Sequence, residues 1–552
     1  MSVELDATVE PLNGHWDYLK AYCRPDCRYR VKWLKNKGAI LIVFWNYLVM
    51  SVYHLLSGGY TTKQLDHPFH VSKTGIILWC MALLFPIGGW LADTRIGRYK
   101  MIHYSLWVMW ISIMMATFGE LLLNNVSTTF MHDNNQIKIG VYSCLCLIMA
   151  IGLGGFVSNI IQFGIDQLID ASATEITSFI TWYTMTVYAS GVTIHYVADS
   201  IVSEEIFYIK TLVVAFCLTL AVCTDFLFKH SLVKDQLITG NSLYMILKVI
   251  KYTIRSRNLR NNYGIATDSE DVALSQFNVA KHIYGGPFTS QQVDNVRKFL
   301  WMLMVIATCA IIFGAMAPMD YAKEKVEKHL HIWHRTRSIK EDYGYLTIRY
   351  SSYFFVITLV FLYEFVIHPL LYTCWPKMRI TSKFLFATGC FFLWIMSLLA
   401  IEIVSYNQQG MTSSNSTSFR CIFVDKHDSN ISYKWWFIPS FMSGLSQFLL
   451  LSSAFEFIWA QAPSTMKGLI LGFGYSFLGL STLVHTALAS PFIFKKVARH
   501  VSWERAPLTC EIWYFLMEGM IILVVLIVIS VLVKRHNKQT QRNAIFISYG
   551  DQ

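Results

Sequence analysis

The chain has 552 residues, is 54% hydrophobic and only 15% charged, and carries a formal net charge of +11. A mean hydropathy of +0.41 excludes an ordinary soluble domain, and apolar stretches of about 20 residues, each long enough to cross a bilayer, recur from end to end. The positive charge does not call for nucleic acid, because Lys and Arg gather in the polar flanks of the apolar stretches, as in the cytoplasmic loops of membrane proteins.

The first 37 residues are polar, carry Arg24, Arg28, Arg30, Lys32, Lys35 and Lys37, and contain no apolar signal-peptide core, which places the N-terminus in the cytoplasm. About twelve apolar spans follow, at roughly 38–58, 72–92, 101–123, 139–160, 176–200, 206–228, 298–319, 350–373, 383–404, 435–459, 467–489 and 512–533. An even number returns the C-terminal tail, with Lys534, Arg535, Lys538 and Arg542, to the cytoplasm. The predicted fold is an all-α membrane protein of twelve transmembrane helices in two six-helix bundles. Its parts are a tail (1–37), an N-terminal bundle (38–228), a linker (229–297), a C-terminal bundle (298–533) and a second tail (534–552). Six spans, a polar insert and six more is the layout of a two-half transporter. The glycosylation sequons at Asn125, Asn415 and Asn430 all fall in loops that this topology puts outside. Two outer loops, holding Lys323 to Arg337 and Lys495 to Arg505, are basic and dissent, but late loops weigh less in setting orientation. Cys421 and Cys510 both fall outside, and their pairing is left open.

In the linker, Leu243, Ile246, Leu247, Ile250 and Ile254 recur at helical spacing beside Lys248, Lys251 and Arg255. This pattern predicts an amphipathic helix on the inner membrane surface. Gly285-Gly286-Pro287-Phe288 predicts a turn, and Thr289-Ser290-Gln291-Gln292 a capping box that starts a helix into the seventh span.

Between the second and third spans, Gly89 and Asp93 lie four apart on one helix face, followed by Gly97 and Arg98. Gly89 permits close helix approach, Gly97 a tight turn, and Asp93 can accept hydrogen bonds from Arg98 or from a neighbouring helix N-terminus. The run Gly89 to Lys100 resembles the inner-gate signature of the major facilitator superfamily. Near the end of the tenth span stands Glu456, ahead of Gln461-Ala462-Pro463. A carboxylate in hydrocarbon costs about 2.5–3.5 kcal/mol on insertion scales, so it marks a water-filled cavity or a cationic partner.

Glu456 to Lys467 is similar to the E-x-x-x-x-Q-A-P-x-x-M-K run of the proton-dependent oligopeptide transporter family, also called the peptide/nitrate transporter family. Phe163-Gly164-Ile165-Asp166-Gln167, Tyr284 to Thr289, Tyr363 to Leu371 and Trp513 to Leu516 resemble further stretches of the same family, in the same order. The chain is identified as a divergent, animal-type member. The resemblance implies twelve helices around a central cavity, alternating access, and a substrate class of di- and tripeptides or related solutes driven by protons. It also implies that Glu456 holds the substrate's amino terminus; pairing of Glu456 with a protein cation is the competing reading.

The departures concern the proton relay. The family's first span carries E-x-x-E-R, whereas Gly38 to Ser57 has neither acid nor arginine. Its fourth-span G-G-x-[K/R] with a following proline is here Gly154-Gly155-Phe156-Val157-Ser158. The seventh-span acid falls near Gly314, and the fifth-span Asn near Tyr188. A cavity with Glu456 and the aromatic residues Trp45, Tyr47, Tyr53 and Trp459 would favour amine-bearing solutes through charge and cation–π attraction. His54, His195 and His485 are the candidate proton sites, each with a purely structural role as its alternative.

His329-Leu330-His331-Ile332-Trp333-His334 lacks a fourth ligand for a metal site, and there is no phosphate-binding loop, G-x-S-x-G or H-E-x-x-H. No metal, no cofactor and no enzymatic activity are expected. The expected partners are a small-molecule substrate, protons and the lipid bilayer, for a monomer. The tails show no acidic dileucine signal, which favours the plasma membrane over lysosomes. A non-transporting receptor or scaffold on the same fold is the alternative, favoured by the missing relay residues.

Overall fold

A computed structural model describes residues 32–58, 82–125, 135–197, 206–233, 242–263, 277–314, 351–370, 382–409, 437–493 and 516–532. The described chain is helical, with an isolated extended pairing between Lys281 and Phe288. In order the helices are α1 (Lys37–Gly58), α2 (82–91), α3 (Arg98–Asn125), α4 (Asn135–Asp166), α5 (Ala173–Gly191) and α6 (Ile206–Phe228). After the linker helix α7 (Ser242–Tyr263) come α8 (Ser290–Gly314), α9 (Ser351–Leu362), α10 (Ser382–Gln409), α11 (Phe437–Gln461), α12 (Lys467–Ile493) and α13 (Leu516–Leu532). Each predicted span thus holds a described helix, and seven of the helices are long and apolar enough to cross a membrane among the described residues.

Helix ends differ from the hydropathy pattern for local reasons. α8 begins at Ser290, ahead of the apolar run, because Thr289 and Gln292 form the reciprocal capping box: the Gln292 N–H donates to Thr289 Oγ1 (3.3 Å) and the Thr289 N–H to Gln292 Oε1 (3.1 Å). Just before it, Gly285 adopts φ 80 and Gly286 lies where a Cβ would collide with the Ala280 carbonyl, so both positions require glycine. α5 is capped by Ser172, whose hydroxyl accepts the Glu175 N–H (3.3 Å), and its regular turns end at Gly191.

α7 rests on the protein by part of its apolar stripe. Ile246 and Val249 are buried in the protein core and Leu243 and Ile250 pack against it, while Leu247 and Ile254 of the same stripe point outward. One side of the helix is thus covered by protein, and the outward residues of the stripe are left exposed.

The N-terminal half is built around α1, whose Ile42, Trp45 and Val49 pack with Phe156 of α4 and Phe179 and Tyr183 of α5, all fully buried. α4 approaches its neighbours through small residues. A Cβ on Gly88 of α2 would lie 2.8 Å from both the Gly154 oxygen and Gly155 Cα. Such backbone proximity is the usual basis of tight packing between membrane helices, where burial from water gives no drive. Gly88→Val is expected to push α2 and α4 apart and cost about 1–3 kcal/mol of overpacking. Thermal unfolding of the detergent-solubilised protein checks it; an unchanged midpoint would refute the close crossing.

Candidate functional site

The two halves meet at the end that carries the α2–α3 turn, the end of α4 and the start of α12, here called the basal end. α2 runs into a wide turn over Ala92–Ile96, and Gly97, at φ 86, reverses the chain into α3. The turn presents Asp93, whose side chain is 2% exposed. Its Oδ1 accepts from Arg98 Nη2 (3.1 Å) and Nε (3.3 Å), and its Oδ2 accepts the backbone N–H of Leu469 (3.1 Å) in the first turn of α12. That amide is one of the unsatisfied donors at a helix N-terminus, where the helix dipole favours a negative group. Arg98 Nη1 donates in turn to Asp166 Oδ2 (2.7 Å) at the end of α4, and Gln162 Nε2 donates to Asp166 Oδ1 (2.9 Å). Four helices, α2, α3, α4 and α12, are thereby held by one charged knot.

Glycine makes the knot reachable. A Cβ on Gly89 would fall on the Gly468 carbonyl, and one on Gly472 on the Phe85 carbonyl. The two helices therefore touch backbone to backbone at two points one turn apart. Gly468 and Gly472 are spaced as G-x-x-x-G, the sequence signal of such a close helix crossing.

A second seam joins α5 to α9. Trp33 Nε1 donates to Ser178 Oγ (3.2 Å), and Ser178 Oγ donates to Glu364 Oε2 (2.9 Å). Glu364 is buried in the wide turn Tyr363–Ile367 that continues α9. Trp33 stands edge-on to Phe179 (5.5 Å) and Trp182 stands edge-on to Phe361 (5.3 Å), so an aromatic shell covers the polar chain.

Between the seams and the middle of the protein lies an aromatic layer drawn from both halves. Tyr183 and Tyr475 share a hydroxyl hydrogen bond (3.3 Å), Phe455 stands edge-on to Tyr183 (5.7 Å), and Phe85 packs on Tyr475 (5.6 Å). Glu456 follows Phe455 on α11 and is half-buried, as is Trp459 one turn on. Beyond them the Ala462 N–H closes the last turn on the Ile458 carbonyl, and Pro463 ends the helix.

The other predicted residues are dispersed. Trp45 is 0% exposed and its indole N–H donates to Thr224 Oγ1 (3.0 Å) of α6; packed inside the N-terminal half, it offers no surface to a solute. Tyr47 is half-buried with its hydroxyl on Thr193 Oγ1 (2.7 Å). Tyr53 is 37% exposed and lies edge-on to His54. His54 is buried, and its Nε2 donates to the Val187 carbonyl (2.8 Å) of α5 while its ring meets Tyr353 of α9. His485 is buried on α12 against Glu518 of α13. The side chains of His195 and Asn125, and all of Asn415 and Asn430, lie outside the described residues. Gly89, Asp93 and Arg98 are brought together, with Asp166, Gln162 and Leu469 as partners that spacing did not indicate. Among the described residues no group of His, Cys, Asp and Glu could hold a metal.

No family model matches the chain. It is 22% identical over 471 residues to "Solute carrier family 15 member 3" of Rattus norvegicus, covering 76% of this chain and 77% of that protein. In structure it is similar to "the POT family transporter PepTSo", with a TM-score of 0.58, 13% identity and coverage of 91% of this chain and 99% of that one. It is also similar to "a POT family transporter in complex with 5-aminolevulinic acid", with a TM-score of 0.52, 14% identity and coverage of 91% and 96%.

Asp93→Asn is expected to weaken the knot, since hydrogen bonds to a charged group are worth roughly 1.5–3 kcal/mol each. The closed basal end should lose about ten-fold or more in population. Spin-label distances between the exposed positions Arg95 and Gln461 would lengthen or broaden; a distribution identical to the native one would count against the knot as a gate.

Proposed function

We propose that the chain, similar as it is to the solute carrier family 15 proteins and to the fold of POT family transporters, is a divergent, animal-type member of the proton-dependent oligopeptide transporter family and moves small amine-bearing solutes, di- and tripeptides first among them, across a membrane by alternating access. The observation that carries this reading is the Asp93 knot. It joins the two halves through a carboxylate, a guanidinium and a helix-terminal amide, groups that water can satisfy once they part. A seam of that kind can open and close, whereas a dry apolar seam would stay shut. A 5-aminolevulinic acid complex of a protein with the same fold supports an amine-bearing ligand.

In this reading the basal end is cytoplasmic, together with both tails, and residues 38–228 and 298–533 are the rocking halves joined by 229–297. Glu456 takes the substrate ammonium, with Trp459 one turn on supplying a ring face, and the knot of Gly89, Asp93 and Arg98 is the inner gate. Glycosylation at Asn125, Asn415 and Asn430, residence in the plasma membrane and a monomeric state complete the proposal. A carboxylate in a low-dielectric cavity holds an ammonium far more strongly than it would in water.

One observation favours a second reading, a receptor or scaffold that binds without flux. At Gly314 a Cβ would collide with Ser481 Oγ and meet the His485 ring, so an acidic side chain has no room there and that part of the usual relay cannot be restored by a local shift. Uptake of a labelled dipeptide and an amine panel into liposomes containing the full chain separates the two. Transport is expected, and Glu456→Gln should abolish amine-dependent binding while the thermal unfolding midpoint is kept. Saturable binding with no uptake at any pH would favour the receptor; binding unchanged in Glu456→Gln would remove Glu456 from the site.

A further inference from the structure

We propose that the outward face of the linker helix α7 binds the anionic headgroups of phospholipids, and that it thereby ties the start of α12 to the membrane surface. Assigning the site to the cytoplasmic leaflet rests on the orientation proposed above; the site itself does not.

The charge of α7 has a single sign. Ser242–Tyr263 holds Lys248, Lys251, Arg255, Arg257 and Arg260 and no acid. Of its described side chains, Tyr244, Leu247, Lys248, Lys251, Ile254 and Arg255 are exposed. Steps of three and four residues put all six on one continuous stripe. Leu247 and Ile254, 64% and 55% exposed, form its apolar edge, and Lys248 and Arg255, each one residue further on, form its basic edge. Lys248 Nζ lies 4.4 Å over the Tyr244 ring. Among the described residues none of Lys248, Lys251 and Arg255 makes an ion pair.

The helix lies at the height where the spans begin. Ser242 Oγ donates to the Thr465 carbonyl (3.3 Å), two residues ahead of α12. Tyr252 stands edge-on to Phe288 (5.9 Å), two residues ahead of α8. Since α8 is long and apolar enough to cross a bilayer, α7 sits beside the level at which hydrocarbon gives way to headgroups.

These features select the occupant. Cations alone would suit any polyanion. Cations beside exposed aliphatic side chains suit a surface that is anionic outside and apolar beneath, which describes an anionic phospholipid leaflet. An acidic protein that closes round a basic amphipathic helix takes hold of its apolar side, and here Ile246 and Val249 are already buried in the protein. Each Lys or Arg near an anionic surface is worth roughly fivefold in binding.

The tie to α12 runs through Ser242. The segment it holds leads from Pro463 to Leu469, whose amide is bonded to Asp93. A headgroup that keeps α7 in this seat therefore favours the closed basal end, because seat and knot share that segment.

The test uses the full chain. Native mass spectrometry in detergent reads retention of phosphatidylserine against phosphatidylcholine. The native protein is expected to prefer phosphatidylserine by about tenfold or more, and added salt should reduce that preference, since screening acts on exposed charges. The triple variant Lys248→Gln, Lys251→Gln, Arg255→Gln should lose it with the thermal unfolding midpoint kept, and Lys248→Arg with Lys251→Arg should retain it. A preference unchanged in the triple variant or indifferent to salt would overturn the site, and polyglutamate displacing the lipid at lower concentration would overturn the choice of occupant. Spin labels at Arg95 and Gln461 in nanodiscs then read the tie. Phosphatidylserine should narrow their distance distribution in the native protein, but not in the triple variant or in Ser242→Ala; a native distribution that ignores the lipid overturns the tie. None of these measurements depends on uptake, so a failure of the transport reading would be seen separately.

Discussion

A carboxylate from one half of the protein capping a helix of the other is the contact on which the rest of the basal end depends. Asp93 satisfies the Leu469 amide at the start of α12 and the Arg98 guanidinium at the start of α3, and Arg98 extends the tie to Asp166 of α4. Removing Asp93 would leave a guanidinium with half its partners and a helix N-terminus without an acceptor, both in a place where water is scarce. The glycines serve this contact: Gly89 and Gly468 let the helices come near enough for the carboxylate to reach the amide, and Gly97 at φ 86 turns Arg98 back toward it.

The second seam obeys the same economy of charge. Glu364 is a buried acid inside an apolar helix, and it is met by Ser178 and, through it, by the indole of Trp33. Asn36 Nδ2 donates to the Gln167 carbonyl (2.6 Å), and Gln167 Oε1 accepts the Val233 N–H (2.8 Å). The segment ahead of α1, the end of α4 and the exit from α6 thus share one polar footing. In a chain this poor in charged residues, the buried acids Asp93, Asp225, Glu364 and Glu518 each stand at a junction between helices, where they find partners.

Features that depend on neighbours in sequence were legible: the apolar spans, the glycine turn at Gly97, and the capping box of Thr289 and Gln292. Features that depend on which way a residue faces were not. α1 is apolar nearly all round, so nothing in its sequence told that Trp45 turns inward to Thr224 while Tyr53 is left partly exposed. The linker helix displayed an amphipathic stripe, but a stripe reads the same whether lipid or protein covers it, and Ile246 and Val249 are covered by protein. Partners far apart in the chain, such as Ser178 with Glu364 and His485 with Glu518, carry no spacing signal at all. The pair Gly468 and Gly472 did carry one, a G-x-x-x-G spacing just after the Gln461-Ala462-Pro463 run.

The backbone contact between α2 and α12 has a dynamic consequence. Side chains in an interface can be released one rotamer at a time, so a seam made of them yields by degrees. Two main chains in contact at Gly89–Gly468 and at Phe85–Gly472 have no such intermediate positions, since neither has anything to fold away. That interface is engaged or it is separated, and packed interfaces of this sort are bistable rather than continuously deformable. The basal end therefore behaves as a latch with two settings, and the rate at which it changes setting is governed by one barrier rather than by a gradual slackening.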